Sequence, residues 1–199
     1  MRKLFVLEGP DAIGKTTQAR ILKDLLKADF IVQPSEDNIV GFLRKIVKED
    51  PSIEAFPRQL LHTVSHVVDA FTKMAGKDTD ILMDRCHASS WVYGEVSQMK
   101  NKDLLMVHKI HEHVYSEVFK NVDVRVIFLD RRERYNETHM DEFERTVNWS
   151  EIAIKYRQIY KKAEGKELFF FNREEKLYKL DVADMSKDAI TQSLLQLLQ

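Results

Sequence analysis

Short apolar runs alternate with longer segments of helical periodicity along the whole chain. The apolar runs cover residues 4–7, 30–32, 81–83, 122–129 and 177–182. Between them, apolar positions recur at a helical spacing over residues 16–27, 39–47, 58–75, 102–119, 142–163 and 186–198. Strands that alternate with helices in this way predict βαβ units and a parallel sheet. We therefore predict an α/β fold of three layers, with a parallel five-stranded sheet and helices on both faces.

The pattern shows no repeat, no low-complexity segment and no linker on which to divide the chain. We therefore expect a single domain over residues 1–199. Because ligands of parallel α/β sheets bind at the carboxyl ends of the strands, the functional residues should directly follow the predicted strands.

Composition narrows the class of protein further. The chain has 31 Lys and Arg against 32 Asp and Glu, a formal net charge of -1, which argues against a general nucleic-acid binder. The single cysteine, Cys86, excludes an internal disulfide and a cysteine-based zinc site, and it fits a reducing, cytoplasmic compartment. No apolar run approaches the ~20 residues that cross a bilayer, so no membrane partner is expected.

The loop after the first predicted strand carries the strongest chemical signal. Gly9-Pro-Asp-Ala-Ile-Gly14-Lys15-Thr16 fits the pattern G-x4-G-K-[ST] between a strand and a helix, the context that the pattern requires. Glycines let backbone N–H groups surround phosphate oxygens, and the start of the helix adds its positive dipole end. Lys15 should reach the β- and γ-phosphates, and the Thr16 hydroxyl should bind Mg2+. This predicts a P-loop NTPase fold with ATP and Mg2+ as cofactors.

A second metal ligand is predicted at the end of the third strand. Asp84 directly follows the apolar run 81–83. A carboxylate beside a phosphate loop is a ligand that Mg2+ commonly takes. We therefore expect Thr16 and Asp84 to share the metal.

Two motifs resemble those of the thymidylate kinase family. Leu-Glu-Gly-Pro-Asp-Ala-Ile-Gly-Lys-Thr-Thr-Gln over residues 7–18 resembles the first motif, including the acidic residue inside the loop. Asp-Arg-Cys-His-Ala-Ser-Ser-Trp-Val-Tyr over residues 84–93 resembles the second. The resemblance covers nearly the whole chain. It implies transfer of the ATP γ-phosphoryl group to a deoxynucleoside monophosphate, normally dTMP, and it leaves a homodimer open because the family is often dimeric.

Positions that match the family motifs take their expected roles from the resemblance. Arg85 would bind the acceptor phosphate, Asp11 would orient the acceptor, and Tyr93 would lie against the sugar, with Ser89 and Ser90 near the base. The expected catalytic residues are Lys15, Asp11, Arg85 and Arg134; the ATP-binding residues are Gly9, Ala12, Gly14, Lys15, Thr16, Thr17 and Arg131; the acceptor-binding residues are Asp11, His62, His66, Arg85, Ser89, Ser90 and Tyr93.

A short lid over the phosphates is expected in residues 131–145. Arg131, Arg132 and Arg134 supply cations beyond the fourth strand, and the segment 132–135 resembles a lid segment of the family. The helix that usually precedes this lid is missing from the pattern. An alternative register places the lid at residues 141–145.

Two positions on the acceptor side depart from the family. After Leu60 and Leu61, the family places an aromatic ring under the base and an arginine one turn later, where this chain has His62 and His66. Either the site is retuned, or a shifted helix brings Arg58 to the acceptor. Two alternatives therefore stay open: a kinase with another acceptor, which is a different deoxynucleotide or a deoxynucleoside, and a non-catalytic nucleotide-binding regulatory protein.

Several other positions are interpreted as ordinary surface or packing. These are His108, His111 and His113 as helix surface, Trp149, Tyr156 and Cys86 as packing residues, and Ile39, Leu43, Ile46 and Val47 as one apolar stripe of a helix.

Overall fold

A parallel sheet of five strands forms the centre of the protein, which the computed structural model describes over residues 1–50, 52–132 and 148–198. The strands are β1 (Lys3–Glu8), β2 (Asp29–Val32), β3 (Ile81–Asp84), β4 (Asp123–Asp130) and β5 (Lys176–Asp181). Their spatial order is β2-β3-β1-β4-β5, so β1 lies between β3 and β4. The carboxyl ends of all five strands therefore meet at one edge.

Seven helices in the described residues connect and cover the strands. They are α1 (Lys15–Leu26), α2 (Gly41–Glu49), α3 (Ala55–Asp69), α4 (His87–Val96), α5 (Asn101–Val118), α6 (Trp149–Glu164) and α7 (Lys187–Leu198), and a π-helical turn, Ala70–Met74, extends α3. Among the described residues, no helix has both the length and the apolar character needed to cross a bilayer.

The central strand shows how the sheet divides the core. Leu4 and Val6 of β1 pack into one apolar cluster with α4, α5 and α6, whereas Phe5 and Leu7 pack into a second cluster with α1 and α7. Successive side chains of a strand point to opposite faces, so an unbroken apolar run is buried on both sides. The predicted three-layer α/β architecture is confirmed.

The periodicity does not indicate α4, although the second motif lies on it. Its buried side chains include polar ones, namely His87, Ser89 and Ser90, beside Ala88 and Val92. Polar residues on the buried side hide the apolar period from which a helix is recognised.

The apolar stripe predicted over residues 39–47 is only partly buried. Ile39 precedes the helix and is 78% exposed, and Ile46 is 52% exposed, whereas Val47 is buried. The predicted helix is present as α2, but only one side of its apolar face meets α3.

The interpretation of the α5 histidines as surface is also wrong in part. His111 is fully buried and His108 is half-buried, whereas His113 is exposed. The reason is that α3 and α4 pack against α5 and cover the side that carries His111.

Candidate active site

A cavity of about 400 Å³ lies at the carboxyl edge of the sheet. The phosphate loop and the turn after β3 line one side, and α3 and α4 line the other. The predicted site residues that line it are Asp11, Ala12, Gly14, Lys15, Thr16, Thr17, His62, His66, Asp84, Arg85, Ser89, Ser90 and Tyr93.

The loop has the backbone geometry of a phosphate cradle. Gly9 has φ +135°, and a Cβ there would lie 2.4 Å from the carbonyl oxygen of Leu129. Gly14 has φ +94° and precedes α1, and a Cβ there would meet nothing within 4 Å. The loop therefore leaves open space beside the free N–H groups at the start of α1, which fits a phosphate group.

Lys15 is the buried cation of the loop. It is only 4% exposed, and its Nζ donates to the carbonyl oxygen of Pro10. Burial and the neighbouring charge of Arg85 lower the pKa of Lys15 to about 8. Lys15 therefore stays mostly protonated at pH 7.

Thr16 and Asp84 meet as predicted for a metal pair. The Thr16 hydroxyl donates to Oδ2 of Asp84 at 2.5 Å. The other carboxylate oxygen, Oδ1, is buried and has no hydrogen-bond partner among the described residues. One carboxylate and one hydroxyl beside a phosphate loop suit Mg2+, which takes its remaining ligands from phosphate and water. Within the described ranges, no group of three His, Cys, Asp or Glu side chains forms another metal site.

Arg85 is held beside the phosphate loop through both its backbone and its guanidinium. Its backbone has φ +74°, and its N–H donates to the carbonyl oxygen of Leu7 at 2.9 Å. The guanidinium forms an ion pair with Asp11, which also accepts from the Tyr93 hydroxyl. Its Nη1 donates to the Gly9 carbonyl at 3.1 Å, so Gly9 lies next to the cavity as well.

A buried network completes the surroundings of this arginine. Nη1 of Arg85 also donates to Oγ of Ser89 at 3.0 Å and to the Tyr156 hydroxyl at 2.9 Å. Ser89 in turn lies 3.0 Å from Oε2 of Glu8, whose Oε1 accepts from the N–H of Cys86 at 2.5 Å. Burial raises the pKa of Glu8, although the charge of Arg85 opposes the rise. Burial by itself would lower the pKa of Arg85, but the surrounding acidic groups raise it, so the guanidinium stays charged.

Three of the residues that surround Arg85 and Asp11 were not predicted. Glu8 ends β1 at the carboxyl edge of the sheet. Its position at the end of a predicted strand could have indicated that it belongs to the site. Tyr156 and Trp149 come from α6; the indole Nε1 of Trp149 donates to the Asp11 carbonyl at 2.9 Å. Tyr156 is buried as predicted, but its hydroxyl contacts Arg85, which periodicity does not reveal.

The α3 side of the cavity is lined by two histidines and an arginine. It carries His62 and His66, and the side chain of His66 is nearly fully buried. Arg58 also lines the cavity, but its guanidinium donates to the backbone carbonyls of Val47, Asp50 and Ile53, between 2.7 and 3.1 Å. Arg58 therefore joins α3 to α2 and the turn that follows it.

The predicted lid over residues 131–145 falls within the described residues only at 131 and 132. Arg131 is not among the residues that line the cavity, and its carbonyl oxygen accepts from Nη2 of Arg157 at 2.9 Å. Arg134 and the alternative lid at 141–145 lie outside the described residues, as does the start of the helix predicted from residue 142.

Comparison with known proteins agrees with this geometry. A family model described as "Thymidylate kinase" matches residues 7–180. A "Probable thymidylate kinase" of Methanococcus maripaludis is 30% identical over 119 residues, which cover 57% of this chain and 55% of that protein. One from Methanococcus aeolicus is 31% identical over 99 residues, covering 48% of this chain and 49% of that protein. The chain thus spans about half the length of the curated relatives that it matches.

Solved structures support the same fold. A thymidylate kinase from Candida albicans superposes with a TM-score of 0.68 at 17% identity, covering 99% of this chain and 91% of that one. One from Ehrlichia chaffeensis gives a TM-score of 0.70 at 13% identity, covering 100% and 98%. These likenesses show the P-loop NTPase fold. Together with a family match that runs from the phosphate loop to the last strand, they show that the chain belongs to the thymidylate kinase family.

Proposed function

We propose that the protein transfers the γ-phosphoryl group of ATP to dTMP, giving dTDP and ADP. The observation that carries this proposal is the convergence of two phosphate-binding cations in one cavity. Lys15 comes from the loop after β1 and Arg85 from the turn after β3, and the Thr16–Asp84 pair lies in the same cavity. Two cations from different strands can hold two different phosphate groups on either side of a metal site.

The residues of the cavity supply the parts that phosphoryl transfer requires. Such reactions depend mainly on positioning and on positive charge around the transferred group. Lys15 and the N–H groups at the start of α1 would hold the ATP phosphates, with Gly9, Ala12, Gly14 and Thr17 shaping the loop. Thr16 and Asp84 would hold Mg2+, which when bound neutralises phosphate charge. Arg85 suits a bidentate grip on the acceptor phosphate.

Asp11 and Tyr93 would position the sugar of the acceptor. The two side chains contact each other, and the ion pair between Asp11 and Arg85 links the sugar-binding residues to the phosphate-binding residue. Ser90 lines the cavity nearby. Ser89 also lines the cavity, and its hydroxyl bonds within the Glu8–Tyr156 network.

A second acceptor has one observation in its favour. His62 and His66 stand where the family has an aromatic ring and an arginine, and both line the cavity. A kinase for another deoxynucleotide is therefore the second candidate. A non-catalytic regulatory protein is disfavoured because Lys15, Thr16, Asp84, Arg85 and Asp11 are assembled together.

The remaining parts of the proposal come from the sequence. We propose one domain over residues 1–199, a cytoplasmic location and nucleotides as the partners. Arg131 and Arg134 would act from a lid in residues 131–145. A homodimer stays open.

The test is a kinase assay with the full chain, ATP and Mg2+. Each deoxynucleoside and ribonucleoside monophosphate, and each deoxynucleoside, is supplied separately, and ADP and the phosphorylated acceptor are separated by chromatography. We expect ADP release that depends on dTMP, and dTDP in equal amount. No release with any acceptor would contradict the proposal, and a clear preference for another acceptor would establish the second candidate. Arg85→Ala should raise KM for the acceptor far more than KM for ATP, because Arg85 and the phosphate loop follow different strands.

A further inference from the structure

The turn after β2 and the helix α3 line the cavity with mostly neutral polar groups, called here the neutral wall. Gln33, Gln59, His62 and His66 line it, and Arg58 there donates to backbone carbonyls. Lys15 and Arg85 are the cations that would attract the phosphates. A nucleoside monophosphate with its phosphate on Arg85 would place its base against the neutral wall, which offers hydrogen-bonding groups. The inference below rests on the proposed function and names the groups that read this base.

Gln33 is fixed in orientation by α5. It follows β2, its N–H donates to the Asp84 carbonyl at 3.0 Å, and its side chain is 1% exposed. The Tyr115 hydroxyl donates to Oε1 of Gln33 at 2.7 Å, and we assign the amide orientation from this contact. The amide nitrogen Nε2 is buried and has no hydrogen-bond partner in the described parts of the chain. A buried donor without a partner is costly, and an acceptor atom on a ligand would relieve that cost.

The same helix, α5, fixes the tautomer of His66 so that it offers an acceptor instead of a donor. Nδ1 of His111 lies 2.8 Å from the Val107 carbonyl, which can only accept, so Nδ1 carries the proton. Burial lowers the pKa of His111 to about 3, and the neutral ring therefore has a lone pair at Nε2. That Nε2 lies 2.9 Å from Nδ1 of His66, which must donate. In neutral His66 the second nitrogen, Nε2, is then an acceptor.

One helix thus sets both hydrogen-bonding directions. His111 and Tyr115 are one turn apart on α5. Tyr115 turns the amide of Gln33 so that its nitrogen is available, and His111 selects the tautomer of His66 with an acceptor.

We propose that Gln33 and His66 form a donor–acceptor pair that reads the keto–imino edge of the acceptor base. Thymine O4 would accept from Nε2 of Gln33, and thymine N3–H would donate to Nε2 of His66. Cytosine carries an amino donor and a ring-nitrogen acceptor at these two positions, so both contacts would be mismatched. Tyr115 and His111 are positioning residues in this scheme, since each acts through the residue that it orients.

The substrate side gives a test that needs no variant. The unmodified enzyme is assayed with dTMP, with dCMP and with N3-methyl-dTMP, which lacks the imino hydrogen. We expect kcat/KM for each of the last two to be lower than for dTMP by about tenfold or more, because the site's polar groups lose their partners. Equal use of dTMP and N3-methyl-dTMP would overturn the inference.

Variants of the protein distinguish a role of Tyr115 in orienting Gln33 from a general structural role. Tyr115→Phe leaves Gln33 in place but frees its amide to rotate, so the ratio of kcat/KM for dTMP to that for dCMP should fall about tenfold. Gln33→Leu should reduce the same ratio by removing the donor. Tyr178→Phe, a tyrosine packed in the opposite cluster, is the matched control and should leave the ratio unchanged. A merely structural role of Tyr115 would lower both values together and keep the ratio.

The outcomes separate this inference from the proposed function. Turnover of dTMP with an unchanged ratio in Tyr115→Phe and Gln33→Leu overturns the base-reading pair and leaves the kinase assignment standing. Absence of turnover with every acceptor overturns both. Thermal unfolding of each variant is measured in parallel, and if Gln33→Leu does not fold, the N3-methyl-dTMP comparison decides.

Discussion

Neighbouring groups shift the pKa of Lys15 in opposite directions. Burial and Arg85 lower its pKa to about 8, while Asp11, Asp84 and Glu8 act in the opposite direction. A polyphosphate at the loop adds negative charge and raises the pKa of Lys15 again, so nucleotide binding and protonation support each other.

We predict that Lys15→Ala lowers turnover by about a hundredfold or more, because a fixed charge is removed from the phosphates in the transition state. ADP release at saturating ATP measures the effect. Lys23→Ala, on the more exposed side of α1, serves as the control. Near-normal activity of Lys15→Ala would show that the loop is not the ATP site.

Tyr156 gives a second test at the residue scale. Its hydroxyl contacts both Arg85 and Ser89, at 2.9 and 2.7 Å. Tyr156→Phe should raise KM for the acceptor by about tenfold or more, because a hydrogen bond to a charged group is lost, and leave KM for ATP unchanged. Tyr160→Phe, on the same helix with its hydroxyl on the exposed side near Glu164, is the matched control. If the two variants behave alike, Tyr156 does not position Arg85.

At the scale of elements, the turn before α2 fixes α2 against α3. Nδ2 of Asn38 donates to Oγ of Ser65 at 2.8 Å, and the Gly41 N–H donates to the Asn38 carbonyl at 2.9 Å. A Cβ on Gly41 would lie 2.1 Å from the Glu36 carbonyl oxygen, which is backbone and cannot turn away. The close approach of Gly41 to Glu36 within this turn therefore depends on a glycine.

We predict that Gly41→Ala lowers the free energy of unfolding by about 1–3 kcal/mol, because the backbone of the turn must shift to admit a methyl group beside Glu36. Urea denaturation measures the change. Gly165→Ala is the matched control, since a Cβ there would lie 3.3 Å from the Lys161 carbonyl oxygen. A Gly41→Ala variant as stable as the control would contradict the packing described.

For the whole molecule, buried titratable groups determine how stability varies with pH. His87 and His111 stack with ring centroids 4.5 Å apart between α4 and α5. Burial lowers the pKa of His87 well below its usual 6.5 and that of His111 to about 3. The unfolded chain binds protons at these histidines below pH ~6.5 and the folded chain does not, so their contribution to stability is lost as pH falls toward the folded-state values.

We predict that His87→Phe reduces the slope of unfolding free energy against pH between about 6.5 and 4, by up to about 1.4 kcal/mol per pH unit. Chemical denaturation at a series of pH values measures it. His113→Gln removes an exposed histidine of α5 and is the control. An unchanged slope in His87→Phe would mean that this histidine is protonated in the folded state.

Glu175 should change the stability with pH in the direction opposite to that of the buried histidines. It accepts from the N–H groups of Phe170 and Phe171, and burial raises its pKa to about 7. Its contribution is present below its unfolded value near 4.5 and is lost as pH rises through 7. Glu175→Gln should therefore steepen the loss of stability from pH 7 to 4.5, measured by the same denaturation series. A shallower slope would contradict this sign.

The order of strands and helices and the phosphate loop were accessible from the sequence because both are local. A buried strand needs only a short apolar run, and Gly9 to Thr16 form a contiguous motif between a strand and a helix. The rule that ligands bind at the carboxyl edge also brought Asp84 and Arg85 to the loop correctly. Hydrophobic periodicity did not predict the helix α4 because its buried face is partly polar.

What the sequence by itself determined is thus the layered fold, the phosphate-loop motif and the edge of the sheet at which the candidate site lies. Only the tertiary structure decided which side chains orient one another within the cavity. Arg85 and Tyr156 are 71 positions apart, and Gln33 and Tyr115 are 82 apart. A buried polar group must find its partner wherever packing brings one, and no local pattern records that choice. The same packing buried His111 and left Ile39 exposed, since burial depends on which neighbouring helices cover a face rather than on the residue alone.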